Sequence, residues 1–194
     1  MQRGREEVIR TNLGRKIIIV LIAVVAVALI VYFLVMRPAM KREKAPVGIE
    51  EVPEETRSVT LYFAGPEADK LVPETHEIAV EEGLEAQVRA VIAELARGPA
   101  DRDKVSSIPD GVQILQTFWV EDTQTMYLDF NRALITNHPG GSAGEYYTIS
   151  TIIRTIGDNF PQVRYVQFLV AGYPIETIAG HYAVDKPLDV LRWR

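Results

Sequence analysis

Twenty consecutive residues without a charge, Ile17 to Met36 (IIIVLIAVVAVALIVYFLVM), divide this chain before any other feature does. At about 1.5 Å per residue, a helix of that length spans about 30 Å, the thickness of the hydrocarbon layer of a bilayer. A cleaved signal peptide has a shorter apolar region, roughly 7–15 residues, followed by a small-x-small site, so the length favours a retained transmembrane helix. The expected organisation is a short cytoplasmic N-terminus over 1–16, the transmembrane helix over 17–36, a linker over 37–57, a folded domain over 58–188 and a tail over 189–194. Five basic residues precede the span and Arg37, Lys41, Arg42 and Lys44 follow it, so the charge bias toward an N-terminus inside is weak. A folded domain can be translocated despite such charges, which leaves the domain outside the cytoplasm as the favoured orientation.

The linker is argued from composition. Pro38, Pro46 and Pro53 interrupt regular structure, while Glu50, Glu51, Glu54 and Glu55 repel one another and extend the chain. The rest carries eleven basic against nineteen acidic residues between Ser58 and Arg194. An acidic domain without a basic stripe repels phosphate backbones, which argues against nucleic acid as a partner. The absence of cysteine excludes disulfides, thiolate zinc sites, a cysteine nucleophile and a lipid-modified N-terminal cysteine.

Within the domain, Val59, Leu61 and Phe63 alternate with Thr60 and Tyr62 as in a half-buried strand. Leu71 to Val80 reads as extended segments separated by Pro73-Glu74. Leu84, Val88, Val91, Ile92 and Leu95 fall on one helical face, closed by Gly98-Pro99. Val112, Ile114, Phe118 and Val120 form one strand face, Glu121 to Gln124 turn the chain, and Met126, Leu128 and Phe130 face inward on the return. Ser142 to Glu145 fits a capping box for a second helix, whose stripe is Tyr146, Ile149, Ile152, Ile153 and Ile156 and whose stop is Gly157 to Pro161. A last hairpin pairs Val163–Val170 with Ile175–Ile178 across Ala171-Gly172-Tyr173-Pro174. Strands joined by short turns are antiparallel, and two amphipathic helices can cover one face. The expected fold class is therefore α/β of the α+β kind. It is a two-layer sandwich of a mainly antiparallel sheet with two helices on one face, plus the N-terminal transmembrane helix.

From Val59 to Leu188 the chain resembles the GerMN domain, named for proteins of bacterial sporulation and spore germination. The signposts are VTLYF at Val59–Phe63, LVPE at Leu71–Glu74, RGP at Arg97–Pro99, IPDGV at Ile108–Val112 and YLDFN at Tyr127–Asn131. GGSAGE at Gly140–Glu145 and FLVAGYPIETIAGH at Phe168–His181 complete them. The resemblance implies a domain outside the cytoplasm, fixed to the bacterial cytoplasmic membrane, and similar to the ring-building α/β modules of secretion and sporulation assemblies. It brings no catalytic residues. Some members are lipoproteins or carry two copies of the domain, whereas this chain has no cysteine and one domain.

The search for chemistry favours the bland readings. His76, His138 and His181 are far apart, without HExxH or i,i+4 pairing, which gives a metal site little local support. His138, in a Pro/Gly loop, reads as a turn-surface histidine, and His181 as a cap or a hydrogen-bonded ring. A carboxylate-pair enzyme would need Asp129 and Glu176 held across a cleft, with His181 beside them. On alternating strands both carboxylates more simply point outward or accept backbone N–H groups. Ser142 reads as a helix cap and not as a nucleophile, and Gly140-Gly141 lacks the Lys-Ser/Thr of a P-loop. No cofactor is expected. Tyr146 reads as core. Trp119 and Tyr127, of opposite parity to Phe118 and Phe130, mark the outer face of the sheet and, with Tyr173, the candidate interaction surface. The expected partners are the membrane, other envelope proteins or further copies of the chain, with peptidoglycan as the alternative ligand.

Overall fold

A computed structural model of the chain describes residues 20–32, 55–67 and 69–193. The chain divides into two compact units, Met1–Glu50 and Glu51–Arg194. In the first, residues 20–32 are helical with every side chain exposed. Among the described residues no helix is long and apolar enough to cross a membrane. The remaining residues of the expected 17–36 span, and nearly all of the linker, lie outside the described residues.

The second unit starts with strands β1 (Thr56–Ala64) and β2 (Leu71–Ala79), an antiparallel pair with Tyr62 opposite Pro73. Pro73 does not split β2 as expected, because β2 pairs only with β1 and an edge strand can spare the missing N–H. Helix α1 (Leu84–Arg97) buries Val88, Val91, Ile92 and Leu95, the stripe its spacing predicts. Strands β3 (Ile114–Val120) and β4 (Thr125–Phe130) are joined by the 3-10 turn Glu121–Thr123. Short helix α2 (Ala133–Thr136), not expected from the sequence, leads to α3 (Ser142–Asn159). Strand β5 (Tyr165–Val170) and the two-residue strands β6 (Tyr173–Pro174) and β7 (Leu188–Asp189) complete the domain, with a final 3-10 turn at Val190–Arg192.

Strands β3 to β7 form one five-stranded sheet in which β4 and β5 are parallel and all other pairings antiparallel. The parallel pair departs from the antiparallel expectation because α3 carries the chain from β4 back to the start of β5, and such a crossover delivers a parallel neighbour. The sheet is thus mixed, and β1–β2 is a second sheet.

The inner edge of β1 is completed by a helix instead of a strand. Asn159 Oδ1 accepts the Thr60 N–H at 3.0 Å while its amide donates to Thr60 O at 2.6 Å, and Thr155 Oγ1 accepts the Tyr62 N–H at 3.1 Å. These side chains supply the hydrogen bonds that a buried strand edge requires. Helix α3 therefore sits at the centre: Ile149, Ile152, Ile153 and Ile156 are fully buried, with Thr148, Ser150, Thr151 and Thr155 buried beside them. Its stripe reaches no further toward the N-terminus, because Tyr146 is 43% exposed, against the expectation of a core residue. Gly157 stays inside the helix, and the stop falls at Phe160 and Pro161. The C-terminal residues expected as a tail are packed: Val190 is buried and Trp193 contacts the core.

Candidate functional site

Two places stand out: the N-terminus of α3 and the outer face of the sheet. At the first, Gly141 with φ 82° precedes the helix and no side chain caps it. Glu145 does not turn back on its own helix as the capping box predicts. Its carboxylate, fully buried, faces a segment more than thirty residues away. One oxygen accepts the Ile178 N–H at 2.8 Å, and the other accepts the His181 N–H at 2.8 Å and lies 3.2 Å from His181 Nδ1. Desolvation pushes this carboxyl upward in pKa, but the N–H groups of Ala179, His181, Ile178 and Tyr182 outweigh it and hold the group below its ordinary value. Glu145 is thus a latch that fixes the 178–182 loop onto α3.

His138 lies beside this latch. The Gly140 N–H donates to its Nδ1 at 3.0 Å, which places the proton on Nε2, 3.1 Å from Thr148 Oγ1. Thr148 in turn donates to Ser107 O at 2.6 Å. Burial lowers the His138 pKa, partly opposed by the field of Glu145 and by a backbone bond at Gly144, so the ring is neutral near pH 7. The turn-surface reading fails here, since both ring nitrogens are engaged. A cavity of about 270 Å³ opens next to it, lined by Ala64, Val105, Pro109, His138, Ala143 and Tyr147 among others.

A further titratable cluster joins β2, α1 and the loop that follows α1. His76 sits between Glu74 and Glu94, each 2.9 Å from a ring nitrogen, and Lys104 reaches Glu74 at 3.0 Å. Among the described residues no group of three or more His, Asp or Glu could hold a metal ion.

The three residues that a carboxylate-pair enzyme would need each have a separate setting. Asp129 is buried and accepts the Gly172 N–H at 2.8 Å, holding the β5–β6 turn; Glu176 is exposed; His181 binds Glu145. Backbone N–H satisfaction, one of the two bland readings, is what Asp129 adopts. His181 lies in a bend, not at the end of a strand, because β6 stops at Pro174.

On the sheet, the register decides which side chains share a face. Phe118 pairs with Tyr127, and Tyr127 with Gln167, while Trp119 pairs with Met126. Met126 is fully buried, so Trp119 points inward and is partly buried against the core, and Phe118 points outward at 47% exposure. This reverses the expected parity of β3. A β-bulge between Ile114 and Gln116 inserts one residue, and a one-residue slip moves every later side chain to the opposite face. The outer face therefore carries Phe118, Val120 and Tyr127; Tyr173, paired with Val170 and through it with the core residue Phe130, belongs to the other face, where it is 75% exposed on the short strand β6. The C-terminal segment covers part of it: the Gln167 amide donates to Val184 O at 2.9 Å and Gln167 is buried. The β3 side stays open.

Sequence reasoning missed Glu145, His138 and Phe118. The glutamate had a local partner pattern that outcompeted the distant one, and nothing in the alternation reveals the bulge.

Comparison with known proteins places this arrangement. The family model described as "Germane: Sporulation and spore germination" matches residues 60–176. A protein of Clostridium perfringens described as a lipoprotein shares the fold at TM-score 0.50 and 23% identity, over 69% of this chain and 87% of that one. The first GerMN domain of the sporulation protein GerM from Bacillus subtilis matches at TM-score 0.54 and 13% identity, over 69% and 94% of the two chains. The tandem GerMN domains of the same protein match at TM-score 0.51 and 18% identity, and there this chain spans 44% of the partner's length, one domain of the pair. No curated protein matches in sequence. The match over residues 60–176 covers more than half the chain, which belongs to the Germane family of sporulation and spore germination domains.

Proposed function

We propose that this is a single-span protein of the bacterial envelope whose GerMN-type domain stands outside the cytoplasm and, without catalysis of its own, assembles with other envelope proteins, further copies of itself first. The uncharged run Ile17–Met36 supports the anchor, and the Pro- and Glu-rich residues 37–57 support a spacer. The observation that carries the assembly reading is the open outer face at β3, where Phe118 and Val120 are 47% and 39% exposed on an edge strand. Apolar side chains grouped on one face are what a protein partner covers. The bulge in β3 discourages open-ended strand pairing, so the contact is through side chains. A peptidoglycan-modifying enzyme would need Asp129, Glu176 and His181 working together, while Asp129 and His181 are each engaged elsewhere. Purification of the full chain in mild detergent tests the reading. Co-purifying partners or oligomers that disappear with Phe118→Asp are expected; a monomer without partners contradicts it.

A further inference from the structure

Beside the latch, four aromatic rings meet at the surface of α3. Tyr146 stacks on Trp193 with centroids 5.6 Å apart, contacts Tyr182 at 5.9 Å and takes the edge of Tyr147 at 5.7 Å; Tyr182 meets Trp193 edge-on at 5.9 Å. Next to them lies a groove of about 210 Å³ lined by Tyr146, Tyr147, Ser150, Arg154, Trp193 and the Asp69–Leu71 segment. Tyr146, Ser150 and Arg154 recur every four residues on one helical face. Ser150 is 1% exposed, and its Oγ has no hydrogen-bond partner among the described residues. Two other buried polar atoms share that state, Arg57 Nε and Thr151 Oγ1, but neither residue lines this groove. A buried hydroxyl without a partner is costly to keep, and one that faces a groove can be completed from it.

From this juxtaposition we propose that the groove is a saccharide subsite that takes one ring of an N-acetylated hexosamine chain. A pyranose offers an apolar C–H face for the Tyr146 and Trp193 rings and hydroxyls at its rim for Ser150 Oγ. An acetamido group offers a carbonyl to the Arg154 and Lys70 donors and an N–H to the Asp69 carboxylate. The chemistry disfavours the competing ligands. An apolar side chain would leave Ser150 unsatisfied, and a peptide backbone finds no free strand edge in a groove lined by a helix and a turn. The mutual packing of the rings fixes the platform in advance, so that little ordering entropy opposes binding. The site uses neither Phe118 nor the outer sheet face, and it stands or falls independently of the assembly reading.

The test titrates the full chain, in detergent micelles, with the tetramer of N-acetylglucosamine, reading Trp fluorescence and calorimetric heat. Binding is expected, weakened about tenfold by Ser150→Ala, the loss of one hydrogen bond, and abolished by Tyr146→Ala. Ser150→Ala removes a buried hydroxyl that has no partner in the free protein, so thermal unfolding is not lowered and lost binding cannot reflect misfolding. Absence of binding by the wild-type chain overturns the proposal, as does binding that survives both substitutions. Displacement of the tetramer by a wall stem peptide lacking sugar also overturns it.

Discussion

Substituting Glu145 by glutamine separates two accounts of this residue by magnitude. As a member of a capping box it would contribute about 1 kcal/mol, the ordinary worth of a helix cap. In the structure its buried carboxylate receives the N–H groups of Ile178 and His181, each at 2.8 Å. Hydrogen bonds to a charged group contribute roughly 1.5–3 kcal/mol each, and a donor left facing another donor costs about 1–3 kcal/mol. Glutamine keeps one oxygen and turns an NH₂ toward the other donor, so Glu145→Gln is expected to cost about 3 kcal/mol, a large share of the roughly 5–15 kcal/mol typical of a domain. Urea unfolding followed by Trp fluorescence reads this directly. At a slope of about 2 kcal/mol/M the midpoint falls by about 1.5 M. The pH dependence supplies a second signature. The unfolded chain takes up a proton near 4.5, while the folded carboxyl, despite its burial, is held lower by the loop N–H groups. The stabilisation is therefore complete above pH 4.5 and declines as the pH falls through the folded value. Glu145→Gln loses that part of the acid slope. A cost within about 0.5 kcal/mol and an unchanged slope would refute the latch.

Three further outcomes are expected. Asn159→Ala exposes both Thr60 backbone groups to an empty position, costs about 2 kcal/mol and speeds hydrogen exchange at the Thr60 amide; unchanged exchange would remove the helix-side-chain edge from the account. His138 has a folded pKa below 6.5, so the unfolded chain binds the proton first and stability drops as the pH falls from 6.5 toward the folded value. NMR titration of the ring in the intact protein checks it, and an apparent pKa at or above 6.5 contradicts it. Gly172→Val places a β-branched residue at φ 84° with nothing within 4 Å of the added Cβ, so backbone strain alone lowers stability, by about 1–3 kcal/mol in thermal unfolding.

Much of the fold was legible because its signals are local. The apolar stripes of α1 and α3, the alternation of β1 and β4 and the turn at Glu121–Gln124 follow from residues a few positions apart. What escaped depends on distant partners. Pro73 reads as a breaker until β2 is known to be an edge strand. The parallel β4–β5 pair was implied by a helix between two strands, yet short-turn reasoning favoured antiparallel neighbours. Tyr146 fits the α3 stripe by spacing, but Trp193 and Tyr182 draw it to the surface. At the candidate surface, one bulged residue exchanged Trp119 for Phe118, and alternation alone cannot place a bulge. Glu145 satisfied a four-residue motif while its real acceptor role lies with Ile178 and His181.

The assembly reading is tested most directly by a photo-crosslinking phenylalanine analogue at position 118 of the full chain in bacterial membranes, with the same analogue at exposed Asp103 as a control. The account predicts a discrete adduct from position 118, to a second copy or to another envelope protein, and none from position 103. Equal labelling at both positions, or no adduct at either, would contradict it.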